Sequence, residues 1–431
     1  GAIFCLEINV MANVAVVGAQ WGDEGKGKVV DLYAQKAEVI ARFQGGPNAG
    51  HSLHFENTSF VLHSVPLGIF RKGTVNIIGN GVVIDPVIFR EECQSIESLG
   101  IPVKEGLMIS KRAHLILPTH RIIDAASEHA KGSLKIGSTL KGIGPTYMDK
   151  TGRNGIRVGD ILAPGFPERF NALKSKHISF LQQFDYTYDP EEGEARWMEA
   201  IDYIRQYRLI DAEYYIHQCL KENKRILAEG AQGALLDIDF GSYPYVTSSS
   251  TTCAGACTGL GFPPSKVGKV YGIFKAYCTR VGSGPFPTEL FDSEGELLRE
   301  KGKEFGATTG RPRRTGWLDL VALKYAVILN GVTDLIMMKA DVLDGFETVK
   351  VATSYVSGNL ESDRFPFDTD AGIHPVYKDF RGWNKNLSLI RREEELPYEF
   401  MTYVRYIEDA VGVPVSIISL GPDRDQTIIR D

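Results

Sequence analysis

An acidic residue inside a glycine-rich loop is the feature of this chain with the clearest chemical consequence. The loop, Gly18-Ala-Gln-Trp-Gly-Asp-Glu-Gly-Lys-Gly-Lys28, follows the apolar run Val14-Ala-Val-Val17 and precedes Val29-Val-Asp-Leu-Tyr33, which can open a helix. A strand, a glycine-rich turn and a helix start form a phosphate cradle, because backbone N–H groups and the positive helix end face the loop. A carboxylate among phosphates, here Asp23, is expected to hold a metal ion or to take a proton.

The same loop departs from an ordinary P-loop at two positions. Gly18 stands seven positions before Gly25, whereas the two glycines of a P-loop are five apart. Gly27 follows Lys26 where a P-loop has Ser or Thr, so the hydroxyl that usually binds Mg²⁺ is missing. The sequence therefore predicts a P-loop-like but deviant phosphate loop.

A second glycine-rich segment carries a single imidazole. It reads Gly45-Gly-Pro-Asn-Ala-Gly-His-Ser52. The residues alone leave two interpretations of His51 open. It is either a hydrogen-bonded histidine in a turn or an acid–base catalyst in a loop beside a substrate.

A third segment, Gly306-Ala-Thr-Thr-Gly-Arg-Pro-Arg-Arg314, combines hydroxyl and guanidinium groups. Three arginines are too few to bind nucleic acid on a chain whose formal net charge is −6. A solvated basic loop and a site for a carboxylate or a phosphate both remain open. Hydroxyls beside arginines suit the second interpretation better.

A fourth segment, Met338-Lys-Ala-Asp341, follows an apolar strand-like run. Its Lys-x-Asp pattern resembles the guanine-reading element of GTP-binding proteins, with Met338 in place of the usual Asn or Thr. A carboxylate accepts hydrogen bonds from the N1–H and amino groups of guanine, and adenine offers neither donor. Two such bonds of roughly 1.5–3 kcal/mol each would favour guanine about a hundredfold or more. A surface ion pair between Lys339 and Asp341 is the alternative.

These four segments need a scaffold of alternating strands and helices. Strands are expected at residues 14–17, 75–78, 107–109, 225–228, 269–274, 335–338 and 415–418, and helices at 87–99, 166–184, 195–221 and 318–329. This order predicts an α/β fold, a single large domain with a central, mainly parallel sheet. Ligands of such sheets bind outside the carboxyl ends of the strands, where these segments would lie.

The composition is that of a soluble globular protein with a large core. Of the 431 residues, 43% are hydrophobic and 24% are charged. Six cysteines, at positions 5, 93, 219, 253, 257 and 278, form no disulfide framework, which favours a reducing, cytoplasmic location. No apolar run is long enough to span a bilayer. Residues 1–11 are interpreted as an N-terminal extension or a cloning remnant, and residues 12–431 as the domain.

Taken together, the segments are similar to the signatures of the adenylosuccinate synthetase family, GTP-dependent ligases that join IMP to L-aspartate. The most specific matches are Gln20-Trp-Gly-Asp-Glu-Gly-Lys-Gly-Lys28 and Asn48-Ala-Gly-His51. Further matches are Gly142-Ile-Gly-Pro145, Glu229-Gly-Ala-Gln-Gly233, Tyr243-Pro-Tyr-Val-Thr-Ser248, Gly284-Pro-Phe-Pro-Thr-Glu289, Thr308-Thr-Gly-Arg311 and Ser419-Leu-Gly-Pro-Asp-Arg424. The resemblance extends from Val14 to Arg430 and implies the first committed step of AMP synthesis from IMP.

The resemblance implies a role for each candidate catalytic residue. Asp23 matches the base that removes the N1 proton of IMP, so that O6 accepts the phosphoryl group of GTP and 6-phosphoryl-IMP forms. The amine of aspartate then displaces phosphate. His51 matches the acid that protonates or stabilises the leaving GDP oxygen, and Lys26 neutralises charge on the transferring group. The implied cofactor is Mg²⁺, one ion per subunit, with Asp23 and the Gly50 carbonyl as protein ligands.

The same matching implies three sets of binding residues and a homodimer. The GTP set is Gly22, Asp23, Glu24, Gly25, Lys26, Gly27, Lys28, Arg313, Lys339, Ala340, Asp341, Ser419, Leu420 and Gly421. The IMP set is Asp23, Asn48, Ala49, Gly50, His51, Thr139, Arg153, Gln232, Thr247 and Arg311. The aspartate set is Thr308, Thr309, Gly310, Arg311 and Arg313. Arg153 matches a residue that reaches IMP in the neighbouring subunit, which implies shared sites; no nucleic-acid or membrane partner is expected.

Two other classes of protein use part of this pattern. A regulatory GTPase also has a phosphate loop and a Lys-x-Asp element, but it needs the loop hydroxyl that is missing here and hydrolyses GTP alone. An ATP-dependent amide ligase could share the deviant loop and the sheet, but it would lack the segments that match the IMP site and would accept ATP.

Overall fold

The computed structural model describes residues 13–55, 58–306, 310, 312–369 and 372–430, with only the backbone of residues 52–55 and 58–60. A ten-stranded sheet forms the centre of the fold, in the order β20-β19-β15-β11-β1-β10-β2-β5-β7-β9. These strands are β1 (Asn13–Gly18), β2 (Val39–Arg42), β5 (Val75–Ile78), β7 (Leu107–Ser110), β9 (Arg208–Ile210), β10 (Ile226–Glu229), β11 (Lys269–Lys275), β15 (Asp334–Met338), β19 (Val415–Ser419) and β20 (Thr427–Ile429). All neighbouring pairs are parallel except β19 and β20.

Helices connect the parallel strands and cover the sheet. They are α1 (Lys26–Ala34), α2 (Pro86–Glu97), α3 (Val103–Gly106), α4 (Pro118–Ala130), α5 (Ile143–Thr151), α6 (Phe166–Leu181), α7 (Glu194–Ile204), α8 (Ala212–Lys221), α9 (Cys253–Leu260), α10 (Ser293–Lys301), α11 (Leu320–Asn330) and α12 (Tyr398–Val411). This arrangement confirms the prediction of one α/β fold with a large, mostly parallel sheet. None of the helices in the described ranges is long and apolar enough to cross a bilayer.

Short strands outside the central sheet form smaller units. They are β3 (His51–Phe55), β4 (Thr58–Leu62), β6 (Val83–Ile84), β8 (His114–Leu115), β12 (Cys278–Arg280), β13 (Arg314–Gly316), β14 (Leu318–Asp319), β16 (Thr348–Ser357), β17 (Leu360–Ser362) and β18 (His374–Arg381). Strands β3 and β4 form a hairpin that begins at His51. Strand β16 pairs with β14, β17 and β18 in a separate four-stranded sheet.

The central sheet is buried on both faces. In β1, Ala15 and Val17 belong to one apolar cluster, whereas Val14 and Val16 belong to another. Successive side chains of a strand point to opposite faces, so the two clusters are the layers above and below the sheet. A strand buried on both sides has a continuous apolar run, which explains why residues 14–17 are apolar without alternation.

One expected helix is wrong. The stretch 195–221 is divided into α7 and α8 by strand β9, whose residues Arg208–Ile210 pair with β7. Leu209 and Ile210 continue the apolar pattern of the expected helix, but they lie in the edge strand β9. The side chain of Ile210 is buried there. Tertiary pairing overrides local propensity at this point.

Candidate active site

The carboxyl ends of the parallel strands collect the predicted site residues at one edge of the sheet. Strand β1 leads into the phosphate loop, β2 into the Gly45–Ser52 segment, β10 into Gly230–Gly233, β15 into Lys339–Asp341, and β19 into Leu420 and Gly421. These segments are far apart in sequence, and the parallel register alone brings them together.

The phosphate loop is fixed from within by a buried carboxylate. Glu24 is fully buried, and its Oε1 accepts hydrogen bonds from the backbone N–H groups of Gln20 (3.1 Å) and Gly22 (2.9 Å). Gly22, Asp23 and Gly25 have φ angles of 87°, 57° and 95°, which glycine adopts readily and aspartate rarely does. The side chain of Glu24 therefore stabilises the loop instead of facing a ligand, and Asp23 is held in a strained conformation.

Lys26 connects this loop to the segment after β10. Its ammonium group is 2.5 Å from Oε2 of Glu24 and also donates to the backbone carbonyl of Gln232. Lys26 is only 4% exposed, and its charge is compensated by these two acceptors. A phosphate group at the loop would be a third and stronger acceptor.

His51 forms a buried pair with a carboxylate that sequence reasoning left without a role. Nδ1 of His51 is 2.6 Å from Oε1 of Glu229, and the other oxygen of Glu229 accepts the N–H of Leu67 at 3.1 Å. Burial lowers the pKa of His51 to about 4, assisted by the charge of Arg42. Burial alone would raise the pKa of Glu229, but the hydrogen bond from His51 and the charge of Arg42 lower it below its usual value.

It follows that His51 is neutral at pH 7 with its proton on Nδ1. The ionised Glu229 can only accept, so Nδ1 must donate to it, and Nε2 carries the lone pair. Nε2 is buried and has no hydrogen-bond partner within the described ranges. The ring therefore presents one unused nitrogen, with its orientation fixed by the carboxylate behind it.

Two of the predicted IMP residues, Gln232 and Thr247, contact each other. Nε2 of Gln232 donates to Oγ1 of Thr247 at 3.1 Å, and Gln44 donates to Oε1 of Gln232 at 3.0 Å. Oδ1 of Asn48 is buried and unpaired as far as the structure is described. Glycine is required at position 45 because its φ is 85° and an added Cβ would lie 3.3 Å from Ala231.

The loop that contains Thr139 contacts the Gly45–Ser52 segment through Lys141. Lys141 donates to the carbonyl of Pro47 at 2.8 Å, which joins the Thr139 loop to the Gly45–Ser52 segment. Asp124 and Glu128 of α4 hold this loop by accepting from Ser138 and from the backbone of Gly137 and Gly142. Thr139 itself is exposed.

The predicted guanine end contains an unused acceptor. Oδ1 of Asp341 is buried without a partner in the described part of the chain, and burial raises the pKa of this carboxyl. Asp341 lines a cavity of about 500 Å³ together with Lys301, Asp344 and Asn386. Ala340 and Leu420 are fully buried.

Lys28 links the start of α1 to the last strand of the sheet. Its ammonium group donates to Oγ of Ser419 and to the carbonyl of Gly421, both at 2.8 Å. Burial lowers the pKa of Lys28 to about 8, against the opposing effect of Asp341. The structure therefore brings Lys28, Ser419 and Gly421 into contact.

The predicted base is paired with the predicted GTP arginine. Oδ2 of Asp23 accepts from Nε of Arg313 at 2.8 Å, and Nη1 of Arg313 donates to Oε2 of Glu304 at 2.8 Å. Gly310 is described, but Thr308, Thr309 and Arg311 lie outside the described residues. The arrangement joins the phosphate loop to the end of the predicted aspartate loop.

Arg153 lines a different cavity from the one at Asp341. It lines a cavity of about 370 Å³ with Asn154, Asp160, Arg169 and Lys176, and none of the other predicted site residues lines this cavity. It is exposed and has a φ of 62°.

Sequence reasoning missed the residues that hold the chemistry in place. Glu229 was visible only as part of a motif, and its signal is an acidic residue at the end of an otherwise apolar strand. Glu304, fully buried, precedes the Thr-rich loop by a few positions and has no local pattern. Glu229 contacts His51 at a sequence separation of 178, and Glu304 contacts Lys275 and Lys339 at separations of 29 and 35, which no short motif encodes.

This chain is similar to known proteins over almost its whole length. A family model described as adenylosuccinate synthetase matches residues 15–428. An adenylosuccinate synthetase of Parabacteroides distasonis is 58% identical over 415 residues, 96% of this chain and 98% of that protein. One of Flavobacterium johnsoniae is 57% identical and covers 96% and 99%. The structure of fully ligated adenylosuccinate synthetase from Plasmodium falciparum has a TM-score of 0.91 at 37% identity, covering 97% of this chain and 99% of that chain.

These similarities place the molecule among the ligases that form carbon–nitrogen bonds. The agreement covers both the sequence and the whole α/β fold. The chain belongs to the adenylosuccinate synthetase family, which joins IMP to L-aspartate in a GTP-dependent step of AMP synthesis. The family and the reaction expected from the sequence are thereby confirmed.

Proposed function

We propose that this chain carries out the reaction of its family with Asp23 as the base, His51 as the group facing the leaving GDP oxygen, and Lys26 as a phosphate ligand. The observation that carries the proposal is the placement of unused polar atoms. Nε2 of His51, Oδ1 of Asn48 and Oδ1 of Asp341 are buried without partners among the described residues. Buried polar groups in proteins are normally paired, so three such atoms at one sheet edge are suited to accepting a ligand.

Each chemical step uses a group whose state follows from its surroundings. Asp23 lies on the outside of the phosphate loop and is about 40% exposed, so IMP could approach its carboxylate once Arg313 releases it. His51 is neutral in the free protein, and a nearby anionic phosphate would favour protonation of Nε2. Nucleotide binding would then prepare His51 to donate a proton or a hydrogen bond to the leaving oxygen.

The residues present fit a magnesium ion. Mg²⁺ prefers carboxylate and carbonyl oxygens together with substrate phosphates, and Asp23 and the Gly50 carbonyl supply one of each. When bound, the ion would neutralise charge on the transferring phosphoryl group. Asp23 would have to exchange Arg313 for the metal, because Oδ2 now accepts from that arginine.

The remaining parts of the proposal concern the partner subunit and the location. Gln232, Thr247, Asn48 and Thr139 would bind IMP, and Arg153 would reach the site of a second copy, since its cavity is separate in the monomer. We propose a cytoplasmic location as well, which the free cysteines at positions 93, 219, 253, 257 and 278 support.

A substrate-omission assay tests the reaction. Purified protein is mixed with IMP, L-aspartate, GTP and Mg²⁺, and ultraviolet absorbance and phosphate release are followed while each component is left out in turn. Turnover should require all four and should not occur with ATP. Phosphate release from GTP that continued at the same rate without IMP would point to a GTPase and reject the proposal.

Subunit complementation tests the role of Arg153. Arg153→Leu and Asp23→Ala chains are each expected to be inactive, and mixing them should restore part of the activity through hybrid dimers with one intact site. Subunit exchange is verified separately with differently tagged chains. Exchange without recovered activity would reject shared sites.

A further inference from the structure

Glu304 is a fully buried carboxylate that has no role in the scheme so far. Its Oε1 accepts from Nζ of Lys275 (2.9 Å), Nζ of Lys339 (2.8 Å) and the hydroxyl of Tyr277 (2.5 Å). Its Oε2 accepts from Nη1 of Arg313 at 2.8 Å. One carboxylate therefore contacts three cations that come from three different segments.

The charges in this cluster depend on one another. Burial alone would raise the pKa of Glu304, but Lys275 and Lys339 lower it below the usual range, so the group is ionised. Burial lowers the pKa of Lys275 to about 8, and Glu304 acts against that change. Without the negative charge, the fully buried Lys275 would face the charges of Lys339 and Arg313 with no counter-charge.

Two of the cations connect Glu304 to different parts of the candidate site. Lys339 is close in sequence to Asp341, and Arg313 contacts Asp23. Lys339 lies two residues before Asp341, and its backbone has a φ of 57°, a conformation that a lysine rarely adopts. Its ammonium group is tied to Glu304 and to the carbonyl of Gly302 at 2.6 Å. These contacts hold the turn that orients Asp341.

The other cation leads to the proposed base. Arg313 uses Nη1 for Glu304 and Nε for Asp23, so the two carboxylates bind different edges of one guanidinium group. The backbone N–H of Arg313 also donates to the carbonyl of Glu304 at 2.9 Å. Asp23 can therefore leave this guanidinium for a substrate while Glu304 keeps the arginine in position.

We propose that Glu304 is a positioning residue that couples guanine recognition at Asp341 to the release of Asp23, through Lys339 on one oxygen and Arg313 on the other. This inference rests on the proposed roles of Asp23 and Asp341. In this proposal Glu304 does not contact IMP or GTP, but it sets the geometry of Asp23 and Asp341, which do.

The experiment compares Glu304→Gln with Glu300→Gln, a matched change of an exposed glutamate on the preceding helix α10. Loss of the charge-assisted bonds in Glu304→Gln should weaken GTP binding by roughly 10-fold or more, measured by calorimetry, and lower kcat. Glu300→Gln should match the parent protein. Unchanged GTP affinity in a folded Glu304→Gln protein would overturn the proposal.

A double-mutant cycle separates positioning from a general loss of structure. If Glu304 acts through the guanine-reading turn, its effect on GTP affinity should largely disappear in an Asp341→Asn background, whereas a general structural effect would add to it. Full additivity overturns the proposal.

A second variant covers the case in which Glu304→Gln does not fold. Glu304→Asp keeps the charge, but its shorter side chain cannot reach both Lys339 and Arg313. GTP affinity should therefore fall by a smaller factor than in Glu304→Gln. Circular dichroism checks that the fold is unchanged. Parent-like GTP affinity in Glu304→Asp would also overturn the proposal. Turnover by the parent protein is measured in parallel, so a failure of the proposed function is recognised separately.

Discussion

This molecule has two histidine–carboxylate clusters with similar residue types. They differ in whether every ring nitrogen has a hydrogen-bond partner. In the first, His51 donates to Glu229 and leaves Nε2 without a partner among the described residues. In the second, Nε2 of His120 and Nε2 of His177 contact Oδ2 of Asp149 at 2.8 and 2.7 Å. The remaining ring nitrogens of the second cluster contact the N–H of Leu117 at 2.9 Å and Oγ1 of Thr119 at 2.6 Å.

The difference shows which cluster has capacity for a ligand. The second cluster has the residue types of a metal site, and its ligand atoms lie close together. However, the N–H of Leu117 must donate to Nδ1 of His120, so the proton of that ring is on Nε2, where a metal would need a lone pair. Asp149 also stabilises the turn that follows it, because its backbone carbonyl accepts hydrogen bonds from the backbone N–H groups of Asn154 and Gly155. The hydrogen bonds of the second cluster leave no ring nitrogen for a ligand, whereas Nε2 of His51 is available for one.

The largest expected effect separates the two clusters by activity. His51→Ala should reduce kcat by at least ~10²-fold, the scale of a lost acid–base group. His120→Ala should keep kcat per folded molecule close to that of the parent, because this ring lies in the saturated cluster. Steady-state rates, normalised to folded protein by circular dichroism, provide the measurement. Similar losses of kcat in both variants would remove the distinction.

The next effect concerns the second cluster and is measured as the free energy of unfolding. Asp149→Ala leaves two buried N–H groups without an acceptor, so the free energy of unfolding should fall by about 3 kcal/mol. Asp149→Asn keeps one acceptor oxygen and should cost less. Denaturant titration gives both values, and an Asp149→Ala protein as stable as the parent would contradict the structural role.

A smaller effect tests the carboxylate behind His51. Glu229→Gln keeps the shape but removes the charge that orients the ring, so kcat should fall by about 10- to 100-fold, as for other residues that hold a functional group in place. The melting temperature should fall as well, because the fully buried guanidinium of Arg42 lies 3.7 Å from Oε1 of Glu229 and would lose its counter-charge. Parent-like activity at every substrate concentration would mean that His51 needs no partner.

The smallest effect concerns pH. Burial lowers the pKa of both His51 and His120 to about 4 from an ordinary value of 6.5. The unfolded chain binds these protons at the higher pH, so the stability that the two neutral rings contribute is full above pH 6.5 and is lost as pH falls toward 4. His51→Gln should reduce the slope of stability against pH in this window by up to about one proton. An unchanged slope would contradict the lowered pKa.

Much of the scaffold could be predicted from the sequence because its signals are local. Apolar runs mark the seven predicted strands, and the parallel order follows from their alternation with helices. Strand β9 was missed because its three residues are stabilised by pairing with β7 and not by their own pattern.

The site was predictable in its ligand-facing residues and not in the groups that support them. Asp23, His51 and Asp341 belong to compact motifs, so spacing alone could suggest their chemistry. Glu229 and Glu304 act through a tertiary contact and a cluster of charges, respectively. Only the folded arrangement shows that His51 is neutral or that Arg313 joins Asp23 to Glu304.

The position of β1 in the sheet has a consequence for synthesis on the ribosome. The strand ends at Gly18, but its neighbours β10 and β11 begin at Ile226 and Lys269. The nascent phosphate loop therefore stays without its flanking strands until more than half of the polypeptide has been translated. Such long sequence separations slow folding and expose apolar strands to aggregation, so late-translated segments and chaperones should govern the yield of active enzyme.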